Sequence, residues 1–335
     1  MTERRRVLIQ GAGAVSAAAG ALLAGTGAGS VEVRAASRRD DVILTAVGPT
    51  GDAVHVPVVR YADVAPGTVD LLILTSAPGE LDAEVAAALA SARPTAVGVT
   101  SPVIGDAAVA GRMFRGAGIV TLAPGLLSFA TSRGTETRAE FWVPPLAPAF
   151  AAVAVEGSAR DLPRRLAAQY PKVIGRAPAR SVAAVGAAMV PYAAELAIVG
   201  GDWPTFLRRL KRPGRAMAEA MRVDVGLPAL APPPIVVRAV LRQLCRTVPF
   251  DFPKFAGNHF VRHAGQSLRI LDAWRAMTPC ATPRWTRSAR ISPRSCRRRR
   301  RATRVRAGRA AGSDCPRGAP DARCPLRRPP AARSR

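Results

Sequence analysis

The sequence predicts an α/β protein, with an N-terminal doubly wound parallel sheet over residues 1–157 and a C-terminal all-helical domain over residues 158–276. Three observations carry this expectation. Short aliphatic runs alternate with helical stretches through the first half, the pattern of successive βαβ units. Two of those runs, VDLLILTSA (69–77) and TAVGVT (95–100), are apolar without alternation, as strands covered on both faces are. Beyond Ser158 no strand signal is strong, and the periodic stretches all have helical spacing.

RVLIQ, from Arg6 to Gln10, reads as the first buried strand. Gly11, Gly13 and the alanine-rich AVSAAAGALLAG then read as a turn into a helix. The same opening, three arginines before a small-residue apolar run, also resembles an export signal. Its membership in a series of similar strands favours the strand–turn–helix reading, with Arg4 to Arg6 as surface residues ahead of the strand. SVEVRAAS (30–37) is β-branched and alternating, a second strand. DVILTAVGPTGDAVHVPVV (41–59) reads as a hairpin turning at Pro49-Thr50-Gly51. The strand at 69–77 is followed by a helix in GELDAEVAAALASA, the strand at 95–100 by a helical stretch to about Arg115, and GIVTLAP (118–124) adds another strand. In the second region, ARDLPRRLAAQY, RSVAAVGAAMVPYAAELAIV, WPTFLRRLKRPGRAMAEAMRVDVG and PIVVRAVLRQLC are helical. A last amphipathic helix runs from Lys254 to Met277, with Phe260, His263, Leu268, Leu271 and Trp274 on one side.

The net charge of +26 is concentrated at the C-terminus: 18 arginines face 2 acidic residues between Met277 and Arg335. Met277, Ile291, Val305 and Leu326 are the only Ile, Leu, Val, Met or Phe residues there. With so little to bury, residues 277–335 are expected to be a disordered Arg-rich tail. Such a tail could grip phosphates, yet its one aromatic, Trp285, gives no platform for base stacking, so no specific nucleic-acid partner is expected. Cys245 is the one cysteine outside the tail, which suits a reducing, cytoplasmic compartment. No run reaches 18 consecutive apolar residues, so no membrane partner is expected.

The turn Gly11-Ala12-Gly13-Ala14-Val15-Ser16 carries the chemistry. In a dinucleotide-binding turn the first glycine permits the tight bend and the second lets the backbone approach the pyrophosphate. The third lets helix and strand pack closely. The phosphates then lie at the helix N-terminus, where free N–H groups and the dipole favour negative charge. Ser16 stands in place of the third glycine and is small enough to pack. At the end of the second strand, where an NAD site places a carboxylate, stand Arg38 and Arg39. Arg38 there suits the 2′-phosphate of NADP; the alternative is a pair of solvated charges.

VLIQGAGAVSAAAGALLAG, the hairpin DVILTAVGPTGDAVHVPVV and VDLLILTSAPGELDAEVAAAL, followed by a helical region, together resemble the ketopantoate reductase family over roughly Arg6 to Ala276. The resemblance implies a Rossmann-like domain, a helical domain, and hydride transfer from NADPH to a 2-keto acid between them. NHFVRHAGQSLRILDAW is similar to the His- and Gln-rich last helix of one branch of that family. Near the cofactor the family usually has a lysine after the fourth strand; here the position reads Ser76 or Ala77. TSPVIGD stands where the family has Asn-Gly. Matching Pro191 to the family pattern K-x-x-x-N-x-x-x-N-P puts Val182, Gly186 and Val190 where the catalytic lysine and two asparagines belong. Valine cannot protonate an alkoxide, so no catalytic residue is assigned. The resemblance stops inside DAWRAM, and the Arg, Pro, Ala, Gly, Ser and Cys mixture beyond is what a GC-rich gene gives out of frame; a frameshifted end is expected.

Other features read as structural. His259 and His263 are four apart, but no nearby Asp, Glu or Cys completes a metal set, so no metal is expected. His55 lies in the hairpin. Lys172, nearest the expected domain junction, is one of only three lysines. Cys245, on a helix face with Leu241 and Leu244, is expected to be a core thiol. No Gly-x-Ser-x-Gly elbow supports a hydrolase. The expected function is that of an NADP(H)-dependent oxidoreductase of the ketopantoate reductase type acting on a small 2-keto acid or related carbonyl. A non-catalytic dinucleotide-binding protein, and a basic nucleic-acid binder acting through the tail, are the alternatives. The sequence leaves a homodimer open.

Overall fold

The structure, a computed structural model, describes residues 4–26, 30–39, 41–132 and 135–277. The expected tail thus lies outside the described residues from residue 278 onward. All described residues belong to one compact unit.

β1 (Arg5–Gln10) leads through the glycine turn into α1 (Ala14–Ala24), and β2 (Val31–Ser37) returns parallel to β1, Val7 opposite Val33. β3 (Ile43–Val47) and β4 (Ala53–Val56) form the expected antiparallel hairpin, with Gly51 at φ +86° in its turn. β5 (Val58–Arg60) then rejoins the first sheet beside β2. After the 3-10 turn Tyr61–Asp63 come β6 (Val69–Leu74), a second 3-10 turn Pro78–Glu80, α2 (Ala83–Ser91), β7 (Pro94–Val99), α3 (Asp106–Met113) and β8 (Gly118–Pro124). The parallel strands stand in the order β5-β2-β1-β6-β7-β8. The chain winds outward from β1 in one direction, then crosses and winds outward from β6 in the other. The crevice between β1 and β6 is the topological switch point of a doubly wound sheet.

Alternation along each strand splits the core. Val7, Ile9, Leu71 and Ile73 face α1 on one side, while Leu8, Leu72 and Leu74 face α2 and α3 on the other. This explains why these runs show no polar alternation.

The sheet does not end at residue 157. β9 (Leu127–Ala130), β10 (Glu136–Trp142), β11 (Phe150–Ala154), α4 (Leu162–Gln169) and β12 (Ile174–Arg176) follow. β11 runs antiparallel beside β8, and β12 pairs with β11, so residues expected in the helical domain complete the first sheet. Leu162, Leu166 and Tyr170 join the same core as α1. A three-residue edge strand is too short to show a period. Unexpectedly, β3 and β4 form a second, four-stranded sheet in the order β4-β3-β10-β9.

α1 lies between the two sheets. It packs on β2 on one side and on β3, β9 and β10 on the other, and Ala17, Ala18, Ala19 and Leu23 are fully buried. At Gly20 there is no room for a side chain. A Cβ on Gly20 would stand 2.6 Å from a methyl of Val56 on β4, which is why this helix is rich in alanine and glycine and has no polar stripe.

The helical region begins at α5 (Ala179–Ile198). By length and composition α5 passes for a membrane span, with a mean hydropathy of 1.5. The helix includes Arg180, Gly186, Pro191 and Glu195, so its apolar run is interrupted as the sequence suggests, although the mean remains high. Here α5 packs against helices. α6 (Trp203–Arg208) and α7 (Lys211–Ala220) follow, then a π turn Met221–Val225, α8 (Pro234–Thr247), α9 (Phe252–Arg262) and α10 (Ala264–Met277). α5 contacts α7, α9 and α10. The stretch 203–226, expected to be one helix, is therefore divided, and the last helix is broken at His263, where the backbone leaves helical geometry. After the break Trp274 is buried and Leu271 packs beside it, as expected, together with Ser267 and Ile270, while Leu268 faces solvent instead of the core. Cys245 is half-buried with Leu241 and Leu244 against a cluster around Phe252 and Phe255, less enclosed than expected. Leu127, Phe129 and Trp142 of the small sheet reach the same cluster.

Candidate functional site

The glycine turn lies at the carboxyl edge of the first sheet, at the switch point. Gly11 has φ +83°, a left-handed conformation that favours glycine, and its N–H donates to Ala36 O of β2 at 2.8 Å. Gly13 is the N-cap of α1 and offers no side-chain cap, and the first turn holds no acidic residue. The first intrahelical bond runs from Ala17 N to Gly13 O, 2.9 Å. The N–H groups of Ala14, Val15 and Ser16 thus precede the helical ladder. A Cβ on exposed Gly13 would meet nothing within 4 Å. Free donors facing open space at a helix N-terminus are what a diphosphate needs, so the residues present fit a dinucleotide. Ala12 completes the exposed rim of the turn, half-buried itself.

Ser16, expected at the pyrophosphate, is fully buried, and its hydroxyl donates inward to Gln10 O at 3.2 Å. It holds the turn from beneath, and its amide alone belongs to the rim. Sequence reasoning missed the residue that organises this edge, Gln10. The Gln10 side-chain oxygen accepts the N–H of Thr75 at 3.1 Å and of Ser76 at 2.9 Å, while Thr75 Oγ1 donates to Gln10 O at 2.6 Å. Its amide nitrogen donates to the Tyr61 hydroxyl at 3.4 Å. Burial pushes that hydroxyl's pKa up, against the opposing pull of the Gln10 hydrogen bond. Ser76 thus enters the site through its backbone, fixed beside the glycine turn.

Arg38 directly follows β2 and forms an ion pair with Asp82. Asp82 is the N-cap of α2, its other carboxylate oxygen accepting Val85 N–H at 2.9 Å. Arg39 is turned away, bonded to Asp41 at 3.1 and 3.3 Å, which holds the Asp41 carboxyl below the usual range.

Across the crevice the helical region presents apolar side chains. Val103, in the loop after β7, packs against a buried cluster that includes Ala187 of α5 and Ile270 and Trp274 of α10, which Ala183 and Val190 of α5 also flank. Val182 is half-buried nearby in sequence, and a Cβ on Gly186 would meet open space. An ion pair from Arg269 of α10 to Glu80, 2.6 Å, ties the last helix to the loop after β6. The first ionisable group after β7 is Asp106, buried in the first turn of α3, with one carboxylate oxygen lacking a hydrogen-bond partner. Asp224, in the π turn beside Trp274, has its carboxyl pKa raised by burial.

Among the described residues, no group of three His, Cys, Asp or Glu side chains could hold a metal. The His259 and His263 rings lie 4.7 Å apart between centroids, tilted at 44°, and His259 also contacts Phe255 and Phe260. Burial, with the nearby charges of His263 and Arg262, pushes His259 down to about 4. His55 bonds Thr45 Oγ1 at 3.1 Å. Lys172 is exposed at φ +67° in the turn before edge strand β12, away from the glycine turn by the strand order. A cleft of about 510 Å³ lined by Arg4, Glu32, Arg34 and His55 lies at the amino end of β2, opposite the glycine turn.

No family model matches the chain, and no curated protein is detectably similar to it in sequence. Solved structures share the fold. A 2-dehydropantoate 2-reductase from Methylococcus capsulatus is 16% identical, covers 92% of this chain and 98% of its own, and has a TM-score of 0.50. D-mandelate dehydrogenase, solved in complex with NADH, is 13% identical, covers 82% of this chain and 100% of its own, also with a TM-score of 0.50.

Proposed function

We propose that this protein binds NADP(H) at the glycine turn and is an oxidoreductase acting on a small 2-keto acid or related carbonyl. The observation that carries the reading is the open, uncapped N-terminus of α1 at the switch point, reached from a left-handed Gly11. The amides of Ala14, Val15 and Ser16 would bind the diphosphate, with Gly11, Ala12 and Gly13 leaving room for it. Arg38 would meet the 2′-phosphate at the end of β2. Gln10 holds Ser76 against the turn, fixing the loop after β6 where the nicotinamide half would pass. A bound nicotinamide supplies the hydride. Mandelate is a 2-hydroxy acid and dehydropantoate a 2-keto acid, so the names of both fold relatives favour this substrate class. A reducing cytoplasm fits such a cofactor and the single cysteine outside the tail.

One observation favours a second reading, a dinucleotide-binding protein without catalysis. The face of α5 that meets the loop after β7 carries alanine and valine, and no lysine. Two measurements separate the readings. Fluorescence titration of the full chain with NADPH tests the site, and absence of binding refutes both. NADPH oxidation with a panel of 2-keto acids then tests catalysis: turnover supports the oxidoreductase, and none with any of them leaves the binding protein. A charge-assisted bond to phosphate is worth about 1.5–3 kcal/mol, so Arg38→Ala is expected to weaken NADPH about ten- to a hundredfold and leave the fold intact. An equal effect on NADH would remove Arg38 from the 2′-position.

A further inference from the structure

Arg38 follows β2, and Asp82 caps α2, the helix that follows β6. β1 lies between those two strands. An ion pair joining Arg38 to Asp82 must therefore cross the carboxyl end of β1, beside the turn that would hold a diphosphate. Both side chains are largely accessible, 70% and 44% exposed, yet they differ in freedom. Asp82 is pinned, because its second oxygen accepts Val85 N–H. Arg38 has no other hydrogen bond among the described residues and is the partner that can move.

We propose that the Arg38–Asp82 pair is the cofactor-selectivity element of this protein, a bridge that a 2′-phosphate must break to reach Arg38. The proposal rests on the dinucleotide site described above. A 2′-phosphate and the Asp82 carboxylate compete for one guanidinium, and their like charges repel at short range. A 2′-hydroxyl makes no such demand: it is neutral and can donate to a carboxylate, the usual partner of that hydroxyl in NAD sites. Arg38 thus favours NADPH and Asp82 works against it. The native chain balances the two, and its preference for NADPH is small. An ion pair that served only to hold the fold would leave the NADPH-to-NADH ratio unchanged in both variants, whereas here the two substitutions move it in opposite directions.

The test is fluorescence titration of the full chain and its variants with NADPH and with NADH. Asp82→Asn keeps a good N-cap for α2, so its melting temperature should stay close to native. It is expected to tighten NADPH about tenfold, equivalent to about 1.4 kcal/mol, with little change for NADH. Arg38→Ala is expected to shift the ratio the other way. If the native chain binds both cofactors and Asp82→Asn leaves their ratio unchanged, or moves it toward NADH, the bridge has no selective role while the site reading stands. If neither cofactor binds the native chain or the variants, the site reading fails and the bridge falls with it.

Discussion

Replacing Gln10 with leucine tests what holds the carboxyl edge together. Leucine is similar in size and keeps the strand apolar, so β1 should survive. What it removes is the acceptor shared by Thr75 N–H and Ser76 N–H, at 3.1 and 2.9 Å. The bond from Thr75 Oγ1 to Gln10 O, at 2.6 Å, uses the backbone and remains. A buried donor left without a partner costs about 1–3 kcal/mol. Thr75 and Ser76 are half-buried, so water replaces part of what is lost. We expect a destabilisation of about 1–3 kcal/mol for the pair, read as a lower urea midpoint at unchanged slope. The loop after β6 loses its anchor to the glycine turn, so NADPH affinity should fall as well, on the order of tenfold by loss of a preorganised cradle. Gln10→Glu is the companion. It restores an acceptor for both amides but adds a negative charge beside the diphosphate, so it should recover stability in part and bind NADPH worse than the leucine variant. A Gln10→Leu chain with native stability and native NADPH affinity would show that Gln10 supports neither the loop nor the site.

Gly13→Val should fold normally, because the new side chain enters open space, and should bind neither NADPH nor NADH in titration; retained binding would move the diphosphate elsewhere. Gly20→Val drives methyl groups into Val56 and should cost about 1–3 kcal/mol by overpacking, with Val56→Ala restoring part of the loss in the double variant. Arg212→Met leaves the Glu195 carboxylate, 2% exposed, without its 2.5 Å partner; since Arg212 itself is largely solvated, about 1–3 kcal/mol is expected rather than the full cost of a buried charge, and adding Glu195→Gln should recover it. His259 carries a pKa lowered to about 4 in the folded chain against 6.5 unfolded. The unfolded state therefore binds the proton more readily between those values. Its stabilising contribution is present above pH 6.5 and is lost as pH falls toward 4, by about 1–3 kcal/mol. His259→Phe should flatten that part of the stability–pH curve.

The strands of the first sheet were legible because burial on both faces leaves continuous apolar runs, as in 69–77 and 95–100. The second sheet was partly legible and overlooked. Thr137, Ala139 and Phe141 alternate inward along β10, a period of two in a stretch rich in charge. β12 was not legible: three residues at a sheet edge carry no period. The break at His263 and the outward Leu268 were not legible, because local spacing does not encode how α10 packs against α5. At the site, Gly11 and Gly13 could be read because a left-handed bend and an open helix start each demand glycine. Gln10 could not. A glutamine ending an aliphatic strand resembles a surface residue until β6 is placed beside it. Asp82 is recognisable as a cap from its position before an alanine-rich helix, whereas its pairing with Arg38, 44 residues earlier in the chain, arises from the order of β2, β1 and β6.

α1 touches both sheets and has almost no flank open to water. A helix clamped on two sides cannot fray at its first turn without opening both cores. The amides facing the crevice are therefore held in the receiving geometry before any ligand arrives, and binding there sacrifices little backbone freedom. Amide hydrogen exchange along Ala17 to Leu23 should accordingly be slow without cofactor and gain little protection when it is added, while the loop from Thr75 to Glu80, held by a few side-chain contacts, should show the larger gain.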